Sequence, residues 1–173
     1  MTSTLLTPMT PELLLAIGMA GVLGLLLGSF LNVCSLRWPQ DQSVIRPRSA
    51  CPRCGAPVRA LDNVPVLSWL LLRGRCRSCS APISPQYPAV ELATGLIWAG
   101  MVATWGIEPE ALRGALFFTL LLGIAVSDAR FYIIPDQFSL GGLGIGLALA
   151  FLPGGIAWLD AVIGAVTGFL LLW

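Results

Sequence analysis

The sequence predicts an all-α integral membrane protein, a polytopic helical bundle of four full spans plus a partial fifth, with one small cysteine-bearing loop. Three observations predict it. Hydrophobic residues make up 56% of the 173 residues and charged residues only 11%, with a mean hydropathy of +0.83; a soluble domain carries about a quarter charged residues. Long uncharged runs recur along the chain, and a helix needs about 20 such residues to cross a bilayer. All ten basic residues are arginine, and eight of them (Arg37, Arg46, Arg48, Arg53, Arg59, Arg73, Arg75 and Arg77) fall between positions 37 and 77. The absence of histidine excludes His-based acid–base catalysis, Ser–His triads and His-ligated metals. A net charge of +1 gives no electrostatic basis for binding nucleic acid.

The first element follows a polar lead-in over 1–12. Residues 13–36 carry no charge, long enough for a span. A cleaved signal peptide fits poorly, because no basic segment precedes the run and no small-residue cleavage site ends it. Gly21, Gly24, Gly28 and Ser29 form a small-residue stripe suited to close helix packing. Asn32 is expected to make an interhelical hydrogen bond, and Cys34 to be a small buried hydrophobe.

Residues 37–88 form a hydrophilic segment whose arginines place it on the cytoplasmic side by the positive-inside rule. It holds Cys51-Pro52-Arg53-Cys54 and Cys76-Arg77-Ser78-Cys79, two Cys-x-x-Cys knuckles with 21 residues between them. That spacing suits a tetrahedral ion of zinc-ribbon type, and a reducing cytoplasm favours metal thiolates over two disulfides. Zinc on Cys51, Cys54, Cys76 and Cys79 is therefore the expectation, with Gly55 and Gly74 supplying positive φ near the turns. The apolar stretch at 64–72 is too short to span; it either packs on the ribbon or lies at the lipid interface, where Trp69 suits the headgroup level.

Residues 92–107 begin the return to the bilayer, with Glu91 at the cytoplasmic mouth. A short loop with Glu108 and Glu110 leads to a third run, about 112–127, that starts beside Arg113 and delivers Asp128 to the cytoplasmic side. A turn from Asp128 to Asp136 precedes a fourth, glycine-rich uncharged run at 137–159 that ends outside around Pro153-Gly154-Gly155, and Asp136 reads as its N-cap. A fifth run, 161–173, would reach only about 20 Å, so the chain reads as cut off within the membrane. Three parts follow: residues 1–36, an N-terminal segment and first helix; 37–88, a tetra-Cys zinc-binding domain; and 89–173, an incomplete transmembrane peptidase domain.

That last label comes from a resemblance. Gly28-Ser29-Phe30-Leu31-Asn32-Val33, Arg46-Pro47-Arg48-Ser49, the first knuckle, Asn63-Val64-Pro65, Leu67-Ser68-Trp69 and Arg73-Gly74-Arg75-Cys76 form a dense set. With Pro82-Ile83-Ser84, Tyr87-Pro88, Val90-Glu91-Leu92, Asp128 and Ile134-Pro135-Asp136, they resemble the bacterial type IV prepilin peptidases, bifunctional leader peptidase/N-methyltransferases. The resemblance implies an intramembrane aspartyl protease of the bacterial inner membrane, acting on type IV prepilins and type II pseudopilins at the cytoplasmic face. It implies S-adenosylmethionine as methyl donor, without identifying the residues that bind it beyond pointing to the cytoplasmic loop and Glu91. It also implies that Asp128 is the first catalytic carboxylate.

The family's second aspartate lies in a Gly-x-Gly-Asp motif. Two adjacent carboxylates share a proton, so one activates water while the other polarises the scissile carbonyl. The 173 residues contain no Gly-x-Gly-Asp, and Asp160 is expected at the opposite face from Asp128. The chain is therefore expected to be inactive in proteolysis by itself. The competing reading is a non-enzymatic, membrane-anchored zinc module or a dead fragment.

Overall fold

In a computed structural model, residues 10–172 are described; most of the polar lead-in (1–9) and Trp173, which closes the fifth run, lie outside them. Six helices follow in order: α1 Pro11–Arg37, α2 Leu67–Leu71, α3 Gln86–Trp105, α4 Pro109–Phe131, α5 Asp136–Leu149 and α6 Trp158–Leu172. Short 3-10 turns occur at Trp38–Gln40 and Ala60–Asn63. Among the described residues there are no strands, only the isolated bridges Ala50 to Pro57 and Arg75 to Pro82.

Helix α1 starts where Thr10 caps it, its hydroxyl accepting from the Leu13 N–H at 3.2 Å, with Pro11 in the first turn. It packs most extensively on α3, and the small-residue stripe explains why. A Cβ on Gly24 would stand 2.7 Å from the Thr94 carbonyl oxygen and 2.9 Å from the Gly95 Cα, and one on Gly28 would stand 2.7 Å from the Glu91 Cα. Backbone cannot retreat as a flexible side chain can. Gly24→Val is expected to cost about 3 kcal/mol, at the upper end for overpacking, read as a lowered midpoint of unfolding in detergent.

Small polar residues share the interior with Leu31, Val90, Trp98 and Phe138, and the exterior is apolar. Asn32, Ser35, Thr94 and Ser127 are buried, while Leu15, Met19, Val22, Leu96, Phe117 and Leu140 lie exposed on the helix surfaces. Water-soluble folds invert this order; hydrogen-bonding small residues at helix contacts with apolar side chains outside suit lipid. Each buried group is satisfied. Asn32 Nδ2 donates to the Tyr87 carbonyl (3.0 Å), as expected for an interhelical bond, and Ser35 Oγ donates to the Gly123 carbonyl on α4 (3.3 Å). Trp98 Nε1 donates to the Thr119 hydroxyl (3.0 Å), joining α3 to α4. Cys34 is buried, as expected.

Among the described residues two helical stretches, Pro11–Gln40 and Pro109–Phe131, are long and apolar enough to cross a membrane. Helix α3 has 20 residues but opens with Gln86, Tyr87, Pro88 and Glu91, so it begins earlier and more polar than the run at 92–107 suggested. The fourth run, expected to end around Pro153-Gly154-Gly155, ends slightly earlier: α5 stops at Leu149 after 14 residues, about 21 Å of helix. Its glycines weaken helix propensity, and Pro153-Gly154-Gly155 follow the stop. Arg113 explains how the stop is held. Its guanidinium donates to the carbonyls of Leu149 (3.4 Å), Leu152 (2.6 Å) and Pro153 (2.9 Å), satisfying orphan acceptors at the end of α5.

The other end of the bundle is closed by aromatic packing. Trp38, just after α1, meets Phe138 at the start of α5 with ring centroids 4.8 Å apart, edge to face. The cysteine segment therefore leaves the bundle at the end where α4 finishes and α5 begins.

Candidate metal centre and carboxylate site

Each knuckle is built by the same backbone device. The Cys51 N–H donates to the Ala56 carbonyl (2.9 Å) and the Gly55 N–H to the Cys51 carbonyl (2.9 Å). In the second, the Cys76 N–H donates to the Ala81 carbonyl (2.8 Å) and the Ser80 N–H to the Cys76 carbonyl (2.9 Å). Gly55 and Ser80 both adopt positive φ, 70° and 57°. Positive φ was expected at Gly55 and Gly74, but Ser80 is the counterpart of Gly55. The signal was present as a repeat, Cys-x-x-Cys-Gly-Ala-Pro against Cys-x-x-Cys-Ser-Ala-Pro. Gly74, also at positive φ, has a separate role: a Cβ there would stand 2.8 Å from the Trp69 ring.

The four Sγ atoms lie within 4.8 Å of one another, with Cys51 and Cys79 Sγ 3.8 Å apart. Tetrahedral thiolates about 2.3 Å from zinc stand about 3.8 Å from each other, so the donor set and its spacing fit that ion. The Cys51 thiol is pulled down to about 6 by the backbone N–H groups of Cys54 and Arg53. The Ala81 N–H acts in the same direction on Cys79, but desolvation and the neighbouring thiols outweigh it and push Cys79 up to about 11. Four crowded thiols do not all ionise unless a cation joins them.

Three contacts fix the hairpin. Arg77 Nε and Nη2 grip the Asp62 carboxylate at 2.6 to 3.0 Å, tying the intervening turn to the second knuckle and holding the Asp62 carboxyl below its usual range. The Glu91 Oε2 accepts the Val66 N–H at 2.7 Å. Val66 has φ 60° and ψ −51°, with the Leu67 N–H bonded to the Pro65 carbonyl, a γ-turn that is strained for a β-branched residue. Sequence placed Glu91 at the helix mouth; it is a buried residue inside α3 that latches the loop. Trp69 Nε1 completes the attachment by donating to the Ile83 carbonyl (3.1 Å), and Leu67, Leu70 and Leu71 of α2 stay exposed.

Asp128 stands in the last turn of α4, which continues to Phe131 and ends on Tyr132 at φ 54°. It is exposed. Asp136 is the first residue of α5 and not its N-cap, which is Pro135; its carboxylate makes no capping bond but sits where the helix dipole favours negative charge. Asp160 lies in the first turn of α6, two residues past Trp158, which stacks on Phe151 at 5.9 Å. Arg113, at the opposite end of α4 from Asp128, reaches the carbonyls just after Phe151. The fold thus keeps Asp160 away from Asp128.

A cavity of about 680 Å³ lies between the cysteine hairpin and the helix ends. Its lining includes Asn32 of α1, Cys51 and Cys76, Trp69, Glu91 of α3 and Arg130 of α4. The hairpin and the Asp128 end of α4 therefore share one end of the molecule.

The chain matches known proteins along most of its length. Residues 22–105 match the bacterial peptidase A24 N-terminal domain, and residues 115–173 match the type IV leader peptidase family. A prepilin leader peptidase/N-methyltransferase of Myxococcus xanthus is 47% identical over 149 residues, covering 86% of this chain and 44% of the relative. Proteins of the same name from Aeromonas hydrophila (40% identical; 86% of this chain, 60% of the relative) and Neisseria gonorrhoeae (35%; 91% and 64%) also match. The chain thus spans 44% to 64% of the length of these relatives. No solved structure matches it. On both family matches and these relatives, the chain belongs to the type IV leader peptidase family.

Proposed function

We propose that this chain carries the zinc hairpin and the first catalytic carboxylate of an inner-membrane aspartyl endopeptidase that removes the leader of type IV prepilins and type II pseudopilins and methylates the new N-terminus. In this reading the bundle spans the membrane four times with a partial fifth crossing, and residues 37–88 and Asp128 face the cytoplasm. The parts are the N-terminal helix (1–36), the zinc domain (37–88) and the transmembrane peptidase part (89–173). The observation that carries the reading is the shared end: Asp128 stands two residues from Arg130, which lines the cavity beneath the hairpin.

Asp128 acts as one half of a proton-sharing pair. One carboxylate takes a proton from water as it attacks the scissile carbonyl, and the protonated carboxyl polarises that carbonyl. The partner belongs to a Gly-x-Gly-Asp motif that the 173 residues do not contain, so cleavage by this chain alone is not expected. Cys51, Cys54, Cys76 and Cys79 hold a structural zinc ion that organises the hairpin, and S-adenosylmethionine supplies the methyl group. Eight arginines between 37 and 77 favour retention of this segment on the cytoplasmic side, where the basic leader of a prepilin would also lie.

The test is mass spectrometry of a pilin co-expressed with a form of this protein carrying the motif, in cells lacking their own peptidase. Mature pilin with a methylated N-terminus is expected. Pilin that keeps its leader would contradict the enzymatic reading and leave a zinc-bearing membrane module.

A further inference from the structure

The hairpin carries an apolar face that nothing among the described residues covers. Helix α2 turns Trp69 inward, where its ring meets Gly74 and its Nε1 donates to the Ile83 carbonyl. Leu67, Leu70 and Leu71, spaced to share the opposite face, are 53%, 58% and 74% exposed. A single leucine in water is ordinary. Three on one turn, in a segment otherwise rich in arginine, mark a surface that meets another apolar phase.

Two observations identify that phase as lipid. The first is depth. The Val66 N–H, one residue before α2, donates to Glu91 of α3 at 2.7 Å, and the chain is uncharged over 92–107. The bond fixes the start of α2 at the level where the apolar part of α3 begins, the boundary between water and hydrocarbon for a crossing helix. The second is charge. Arg73 and Arg75 follow α2 directly, the Arg73 N–H donating to the Leu70 carbonyl (3.0 Å). Both are exposed, and the ion pairs of the described residues, Arg77 with Asp62 and Arg113 with Glu110, use neither. No acidic residue occurs between Asp62 and Glu91. An apolar face bordered by unpaired cations is complementary to a bilayer surface that bears anionic phosphates.

We propose that the outer face of α2 lies in the headgroup region of the leaflet at which the hairpin emerges. Leu67, Leu70 and Leu71 point toward the acyl chains, and Arg73 and Arg75 meet the phosphates of anionic phospholipid. The proposal rests on the bundle spanning the membrane, as read above, and on neither catalytic activity. The membrane then holds the hairpin from the side opposite Trp69 and sets the height of the knuckles above the bilayer. Sequence alone left the stretch at 64–72 between ribbon and lipid and suited Trp69 to the headgroups. In this assignment the tryptophan belongs to the ribbon and the leucines to the lipid.

Collision electron paramagnetic resonance on the full, zinc-loaded chain in nanodiscs tests it. A nitroxide on an encoded azido residue replaces Leu70, sparing the five cysteines, and a second protein carries it at Val22, on the exposed side of α1. In discs of phosphatidylcholine with phosphatidylglycerol, position 70 is expected to be reached by oxygen, which concentrates in lipid, and shielded from a water-soluble nickel chelate. Leu67→Ser with Leu71→Ser should raise nickel collisions at 70 about threefold or more. Phosphatidylcholine alone should raise them about twofold or more, and Arg73→Gln with Arg75→Gln should erase the difference between the two bilayers. A label at 70 open to nickel while the label at 22 stays in lipid would overturn the proposal and leave the spanning bundle. Labels open to nickel at both positions would remove the membrane crossing and the proposal with it. Shielding at 70 from nickel and oxygen alike would mean that a protein partner covers the face, and equal collisions in the two bilayers would remove the arginine–phosphate contact; either result overturns the assignment.

Discussion

Under the proposed function, the 173-residue chain is expected to leave a prepilin uncut and, joined to the C-terminal part of a relative carrying Gly-x-Gly-Asp, to cut it, with Asp128→Asn expected to lower the rate about 10³-fold or more. The size follows from the chemistry. A single carboxylate cannot supply base and acid together; that takes a second carboxyl group close enough to share its proton. Within the chain, Asp136 opens the helix after Asp128, and Asp160 starts a helix at the far end of the bundle. Asparagine keeps the shape and removes the proton transfer. Cleavage by the chain alone that disappears in Asp128→Asn would show that Asp136 or Asp160 completes the pair, and the missing-partner account would be wrong.

Removing the metal should have the second largest effect, on folding. Between Arg37 and Pro85 only Gly74 and Ala81 are buried, and Leu61 is 82% exposed. A segment with so little core holds its shape through two turns, the Asp62–Arg77 pair and the latch to Glu91. None of these replaces a structural zinc ion, worth about 10–16 kcal/mol of apparent folding free energy. Purified protein should contain about one zinc equivalent. Cys51→Ser should remove it and open new protease cuts between 37 and 88, leaving the helical signal of the bundle. Zinc-free protein with the same protease resistance and no free thiols would instead indicate disulfides.

Much of this was legible because it is local or compositional. Cys-x-x-Cys pairs announce a tetrahedral site, the Gly21, Gly24 and Gly28 stripe announces close packing, and Asn32 in an apolar run announces an interhelical bond. The features not foreseen depend on contacts distant in sequence. Glu91 looked like a charge at a helix mouth; its latch to Val66, 25 residues earlier, exists only once the hairpin folds back. Arg113 stood out in the sequence only as a charge beside the start of the third run, and its bonds to Leu149, Leu152 and Pro153 become visible only when α5 lies beside α4. Ser80 was missed because its positive φ is unusual for a side chain other than glycine.

The account turns on the metal hairpin and Asp128 facing the same water phase. Reporter fusions or membrane-impermeant labelling at residue 50 and residue 130 in intact cells decide it. Both positions are expected to report the cytoplasm. One inside and one outside would remove the thiolate metal site and the active-site assignment together.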